Sequence, residues 1–263
     1  MRRHVRTLTD NEARDSMTPA ATLLLLLICT DLTFILVHLV TVETGWLRGV
    51  GVSLEAERGL PETYQYIKEF WTAVGMAFLF WRTGVRSYVG WSIVFAFLLL
   101  DDAGQIHERV GAWLAHRYAL PGVLGLRPDD AGELLFAAML GTFVVGLAGL
   151  SYWRGCEQSR QTSPNVLCLL LLFAVPGVFV DMLHVVAYLQ GSLLAQVLLV
   201  VEDGGEMLVM SALTAYVFHV AIHGGRARYD LWANVKACAM RPLPAFGVAS
   251  WKSAWQRALA RSG

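Results

Sequence analysis

SYVGWSIVFAFLLLDDAGQIHE, residues 87–108, decides the fold. Tyr88 to Leu100 is an apolar run suited to lipid, and it ends abruptly in Asp101, Asp102, His107 and Glu108. An ionised group in hydrocarbon costs roughly 2.5–3.5 kcal/mol on insertion scales. The same breach recurs along the chain. Asp31 and His38 interrupt the first apolar run, Glu69 the second, Asp181 and His184 the fifth, and Glu202, Asp203 and Glu206 the sixth. A sequence that places charge in lipid so often needs the charge, so the reading is a polar site inside a helical bundle.

Around that stretch, composition agrees. Of 263 residues 56% are hydrophobic and the mean hydropathy is +0.49, too apolar for an ordinary soluble domain. Net charge is zero and no basic stripe is present, which argues against nucleic-acid binding. A bilayer core of about 30 Å needs about 20 apolar residues per helix. Six stretches qualify, at 19–40, 63–82, 88–110, 131–152, 165–189 and 193–223. The expected fold is all-α, a polytopic membrane protein built as a six-transmembrane-helix bundle over 19–223. Residues 1–18 form an N-terminal flank and 224–263 a tail. In the tail Trp251, Trp255, Ala258 and Leu259 share one face of a possible interfacial helix.

Basic residues set the orientation. Arg2, Arg3, Arg6 and Arg14 precede the first run, Arg82 and Arg86 join the second and third, Arg154 and Arg160 join the fourth and fifth, and Arg226, Arg228 and Lys236 follow the sixth. All fall on one side if both termini are cytoplasmic. The basic flank and Leu23–Leu27 mimic a signal peptide, but no small-x-small site follows, so an uncleaved first helix is expected. Cys29, Cys156, Cys168 and Cys238 show no framework spacing.

A rise of 1.5 Å per residue converts position into depth. Asp101 stands about 22 Å above Arg86 and Glu69 about 20 Å above Arg82. Asp181 stands about 25 Å past Pro164, and Glu206 about 25 Å from His223. Asp31 falls near the same level, so five helices offer a carboxylate to one layer of the outer half. Helical spacing adds faces: Asp101, Gln105 and Glu108 at i, i+4, i+7; Asp181 and His184 at i, i+3; Glu202 and Glu206 at i, i+4. His107 would point about 120° from Asp101 on a continuous helix. Lys68 and Arg109 are read as lying near the rim, which leaves few internal cations.

Carboxylates packed this closely must be met by protons, by a cation, or by both. Oxygen and imidazole ligands suit a divalent transition ion such as Zn, Fe or Mn. Asp181-x-x-His184 resembles the acid-x-x-His step of di-metal carboxylate bundles. The candidate metal ligands are therefore Asp101, Glu108, Asp181, His184, Glu202 and Glu206. Glu69 and His107 are the candidates for base or supporting group. A proton relay and a purely structural hydrogen-bond network remain the alternatives. No Walker A loop, G-x-G-x-x-G or G-x-S-x-G elbow occurs.

Two strings, Asp101-Asp102-Ala103-Gly104-Gln105-Ile106-His107-Glu108 and Glu202-Asp203-Gly204-Gly205-Glu206-Met207, together resemble an uncharacterised bacterial family of multi-span membrane proteins. That family carries Asp-Glu-x4-His-Glu and Glu-Glu-x-x-Glu-Met signatures. Asp102 and Asp203 stand here where it usually has Glu. The segment Gly59-Leu60-Pro61-Glu62 through Lys68-Glu69 is similar to the family's entry into its second span. The resemblance covers 59–207 and implies a bacterial cytoplasmic membrane protein of this architecture, without naming a reaction.

Three functions follow. The first is a metal-dependent membrane enzyme acting on a lipid or other apolar substrate. The second is a cation- or proton-coupled transporter or channel, against which the cytoplasmic halves of the spans look almost free of charge. The third is an assembly subunit that binds other membrane proteins, for which Gly141 to Gly149 offers a modest small-residue face.

Overall fold

A computed structural model describes residues 2–47, 49–122, 125–190 and 194–226, with side chains from residue 19 onward. These belong to one compact unit, Met1–Tyr229. The tail helix expected around Trp251 and Trp255 lies outside the described residues.

Among the described residues the regular structure is all helical, without a strand. The helices are α1 (Arg2–Thr44), α2 (Leu60–Thr83), α3 (Ser87–Gly104), α4 (Ile106–Tyr118), α5 (Pro128–Arg154), α6 (Glu157–Ala174), α7 (Asp181–Leu189) and α8 (Leu194–Ile222), with a π-helical segment, Val175–Val180, joining α6 to α7. Five stretches are long and apolar enough to cross a membrane: Pro19–Thr44, Ser87–Gly104, Pro128–Arg154, Glu157–Leu189 and Leu194–Ile222. The count is one short of the six stretches picked from sequence. α2 is 24 residues long, but Gln65, Lys68 and Glu69 in its middle make it too polar to qualify by composition. The fifth stretch, read from 165, also begins earlier than its apolar run. Pro164 lies inside α6, which starts at Glu157.

The helices are built inside out. On α1, Asp31, His38 and Thr41 are buried while Leu25, Leu26, Leu32 and Leu36 are exposed. On α2, Gln65, Lys68, Glu69 and Thr72 are buried while Ile67, Phe70, Trp71 and Val74 face outward. A helix in water shows the reverse pattern. Apolar exterior with polar interior is what lipid selects, because polar groups find partners only inside the bundle.

At the end of the bundle where the basic turns lie, the interior is built around an apolar cluster, with Ser159, Thr162, Ser163, Asn165 and His219 buried beside it. Met76, Leu79, Tyr88, Trp91, Phe95, Val166, Met210, Leu213, Val217 and Val220 form one buried cluster between α2, α3, α6 and α8. Polar ties close that end. Tyr88 Oη donates to Gly225 O at 2.8 Å, Trp91 Nε1 to Ser163 Oγ at 3.0 Å, and Arg82 Nη1 to Ala221 O at 3.2 Å. The turns carrying Arg82, Arg86, Arg154 and Arg160 thus sit with the end of α8.

At the opposite end, α4 packs along the start of α5. The crossing runs through Gly111 and Gly132, where a Cβ on either would meet the other helix's backbone at 3.0 Å or closer. Without side chains there the backbones approach to contact. The approach brings Glu133, next to Gly132, against α4. Arg127 and Asp130 fix the entry to α5: Asp130 accepts from Arg127 N at 2.7 Å and from its guanidinium at 2.7 Å.

Candidate functional site

The polar end is organised by the break that ends α3. Gln105 adopts a left-handed conformation, φ 50° and ψ 45°, which side-chain-bearing residues seldom take, and α4 starts anew at Ile106. The third apolar stretch, read as continuous over 88–110, is therefore two helices. The break removes the shared face expected for Asp101, Gln105 and Glu108. Glu108 is exposed on α4, its carboxylate 3.4 Å from the Gln105 amide. The same break carries His107 back to Asp101 instead of 120° away from it. Asp101 Oδ1 accepts the His107 backbone N–H at 2.7 Å and lies 3.4 Å from His107 Nδ1. A carboxylate six residues upstream thus caps the first turn of α4. This contact with Asp101 pushes the His107 imidazole up to about 9, with the charges of Asp102 and Glu108 adding to it and burial opposing.

Asp101, Asp102 and His107 each offer one ligand atom, and these atoms all lie within 4.8 Å of one another. α2 adds Glu69. It is fully buried, its carboxyl meets that of Asp102, and among the described residues no hydrogen-bond donor reaches either of its oxygens. Gln65, one turn before on the same face, is also buried without a partner among the described residues.

The other wall comes from α7 and α8. His184 Nδ1 lies 2.7 Å from Glu202 Oε2, and the Asp181 and Glu202 carboxyls meet. One turn along α8, Glu206 is pressed against the π-helical segment, where a Cβ on Gly177 would collide with its Oε1. A π-helical turn in the middle of a helix is often associated with a functional site. The charges of Asp102, Asp181, Glu202 and Asp203 all act on Glu206, and that of His107 acts on both Asp181 and Glu133. The two groups of side chains stand near enough for their charges to act on one another, and the space between them is the candidate cleft, with Glu69 at its floor. Glu108 is exposed on α4, and its charge reaches His107 and Glu133. His38 is tied elsewhere, Nδ1 to Ser53 Oγ at 2.9 Å and to Leu54 N at 3.3 Å.

Below the floor lies an ion pair that sequence reading placed at the rim. Lys68 is fully buried and donates to Asp31 Oδ1 at 2.9 Å, to Met207 O at 2.7 Å and to Ser211 Oγ at 3.3 Å, with the Tyr64 ring 4.7 Å away. Ser211 Oγ in turn donates to Asp31 Oδ2 at 2.6 Å. An ammonium has three donors, so Lys68 is fully engaged. The reason for its inward turn is the outer face of α2: Ile67, Phe70, Trp71 and Val74 claim the lipid side and leave Lys68 and Glu69 on the inner arc. Thr72 and Thr214 hydroxyls, 3.0 Å apart, end the polar column. Met76, Leu79, Met210 and Leu213 follow.

A family profile described as a domain of unknown function (DUF8692) matches residues 62–220. The chain belongs to that family. The matched stretch runs from the first turn of α2 to the last of α8, so it takes in both walls and the floor of the cleft and leaves out Asp31 and the rest of α1. No curated protein and no solved structure matches the chain.

Proposed function

We propose that this DUF8692 member is a bacterial inner-membrane protein whose cleft holds a divalent transition ion and uses it on a lipid or other apolar substrate. α2 joins the five apolar stretches as a sixth span, with both termini cytoplasmic and the cleft in the outer half. The observation that carries this reading is the gathering of carboxyls and two imidazoles from α2, α3, α4, α5, α7 and α8 at one end of the bundle, near enough for their charges to act on one another, with an apolar cluster beneath. An ion bound there would supply Lewis acidity and lower the pKa of a water. His184, hydrogen-bonded to Glu202, is placed on the facing wall to take or give a proton.

The second reading, a cation- or proton-coupled transporter, draws support from the Lys68–Asp31–Ser211–Thr214 column beneath the cleft. That column stops at Met76, Leu79, Met210 and Leu213, which favours a one-sided site. Elemental analysis of protein purified in detergent without chelator tests the proposal. About one or two ions per chain support it, and less than about 0.1 defeats it.

A further inference from the structure

Within that cleft, we infer that the ion is held at the junction of α2 with the α3–α4 break, by Glu69, Asp101, Asp102 and His107, and not by the His184 wall. This rests on the metal reading above and goes beyond it by naming the ligands.

Geometry comes first. Bonds of about 2.0–2.2 Å put neighbouring ligand atoms about 3–4 Å apart. Ligand atoms of Asp101, Asp102 and His107 already lie within 4.8 Å of one another, so small side-chain movements close the sphere. Glu69 supplies an independent observation. A carboxyl buried with no donor among the described residues is costly, and the polar group it meets is a second carboxyl, Asp102, with the Glu206 charge acting on it too. Two carboxyls meet in a buried site only around a shared proton or a cation. Lys68, the neighbouring residue on α2, cannot supply the charge, because all three of its donors serve Asp31, Met207 and Ser211. The backbone points the same way. The left-handed conformation at Gln105 costs roughly 1 kcal/mol, and its effect is to swing His107 onto Asp101. Across the cleft, His184 and Glu202 already satisfy each other at 2.7 Å. Three carboxylates and one imidazole, with no thiolate, suit Mn, Fe or Zn in the divalent state.

The test uses the full chain in detergent, stripped with chelator and reloaded with Mn²⁺ alone. Bound Mn²⁺ is counted, and its electron spin echo is examined for coupling to histidine nitrogen. Wild type should hold about one tightly bound ion coupled to one imidazole. Glu69→Gln, Asp102→Asn and His107→Gln, all near-isosteric, should each weaken binding by about tenfold or more, and His107→Gln should erase the nitrogen coupling. His184→Gln and Glu202→Gln should retain both. If the ion and its coupling survive in His107→Gln but vanish in His184→Gln, this assignment falls while the wider metal reading stands. A wild-type spectrum without nitrogen coupling also overturns the assignment, and needs no variant to fold. Wild type that binds no Mn²⁺ and carries no other ion overturns both.

Discussion

Lys68 of α2 and Asp31 of α1 form a salt bridge of 2.9 Å with neither side chain exposed at all. Removing one partner of such a pair strands the other charge, which costs about 3–5 kcal/mol, whereas replacing both by apolar residues is often close to neutral. Lys68→Met should therefore lower the thermal midpoint of detergent-solubilised protein sharply. Lys68→Met with Asp31→Leu should recover more than half of the loss. Equal midpoints for single and double variants would show that the pair is not coupled.

Gln105 predicts the opposite sign. Glycine takes a left-handed backbone without penalty. Gln105→Gly should stabilise the protein by up to about 1 kcal/mol, since the side-chain contacts given up, to Glu57 and Glu108, are long at 3.4 Å. Gln105→Val, β-branched at the same position, should destabilise it. Thermal denaturation of the three proteins side by side decides this.

Gly177 and Glu206 should behave as one unit. A methyl at position 177 strikes the Glu206 carboxylate, so Gly177→Ala should cost about 1–3 kcal/mol. Glu206→Ala vacates the space, and the double variant should be more stable than the sum of the single losses implies. Additive losses would mean that the two do not touch.

His107 sets a pH dependence in metal-free protein. Its pKa is raised in the fold, so its pairing with Asp101 stabilises fully below the unfolded value of about 6.5 and is lost as pH rises through about 9. The midpoint difference between wild type and His107→Gln should be largest near pH 6 and shrink towards pH 9.5. A difference that grows with pH contradicts the imidazolium–carboxylate contact.

Topology can be measured directly. Reporter fusions after Arg86 and after Arg160 should report cytoplasm, and one near Arg127 should report the opposite side. The reverse pattern would place the cleft in the inner half.

The helical bundle was legible in the sequence because it depends on a regular quantity, the length of an apolar run. That Asp181 and His184 share one helix, and Glu202 and Glu206 the next, needed nothing more. Asp101 and His107 did, because one left-handed residue in a helix of ordinary composition changes every angular argument beyond it. Gly104 just before Gln105 was the local hint. Lys68 was misplaced because its own charge was read without its neighbours. The outward stripe of Ile67, Phe70, Trp71 and Val74 already left it only the inner face. Gly177 carried no signal, since the need for a bare Cα there arises from another helix.

The apolar cluster beneath Thr72 and Thr214 has an electrical consequence. A unit charge carried across a bilayer exchanges roughly 2.3 kcal/mol with each 100 mV of potential, but only if it completes the crossing. Met76, Leu79, Met210, Leu213 and Val217 put apolar side chains across that route. On the proposed one-sided reading, ligands would leave by the way they entered, and the membrane voltage would neither drive the process nor be discharged by it.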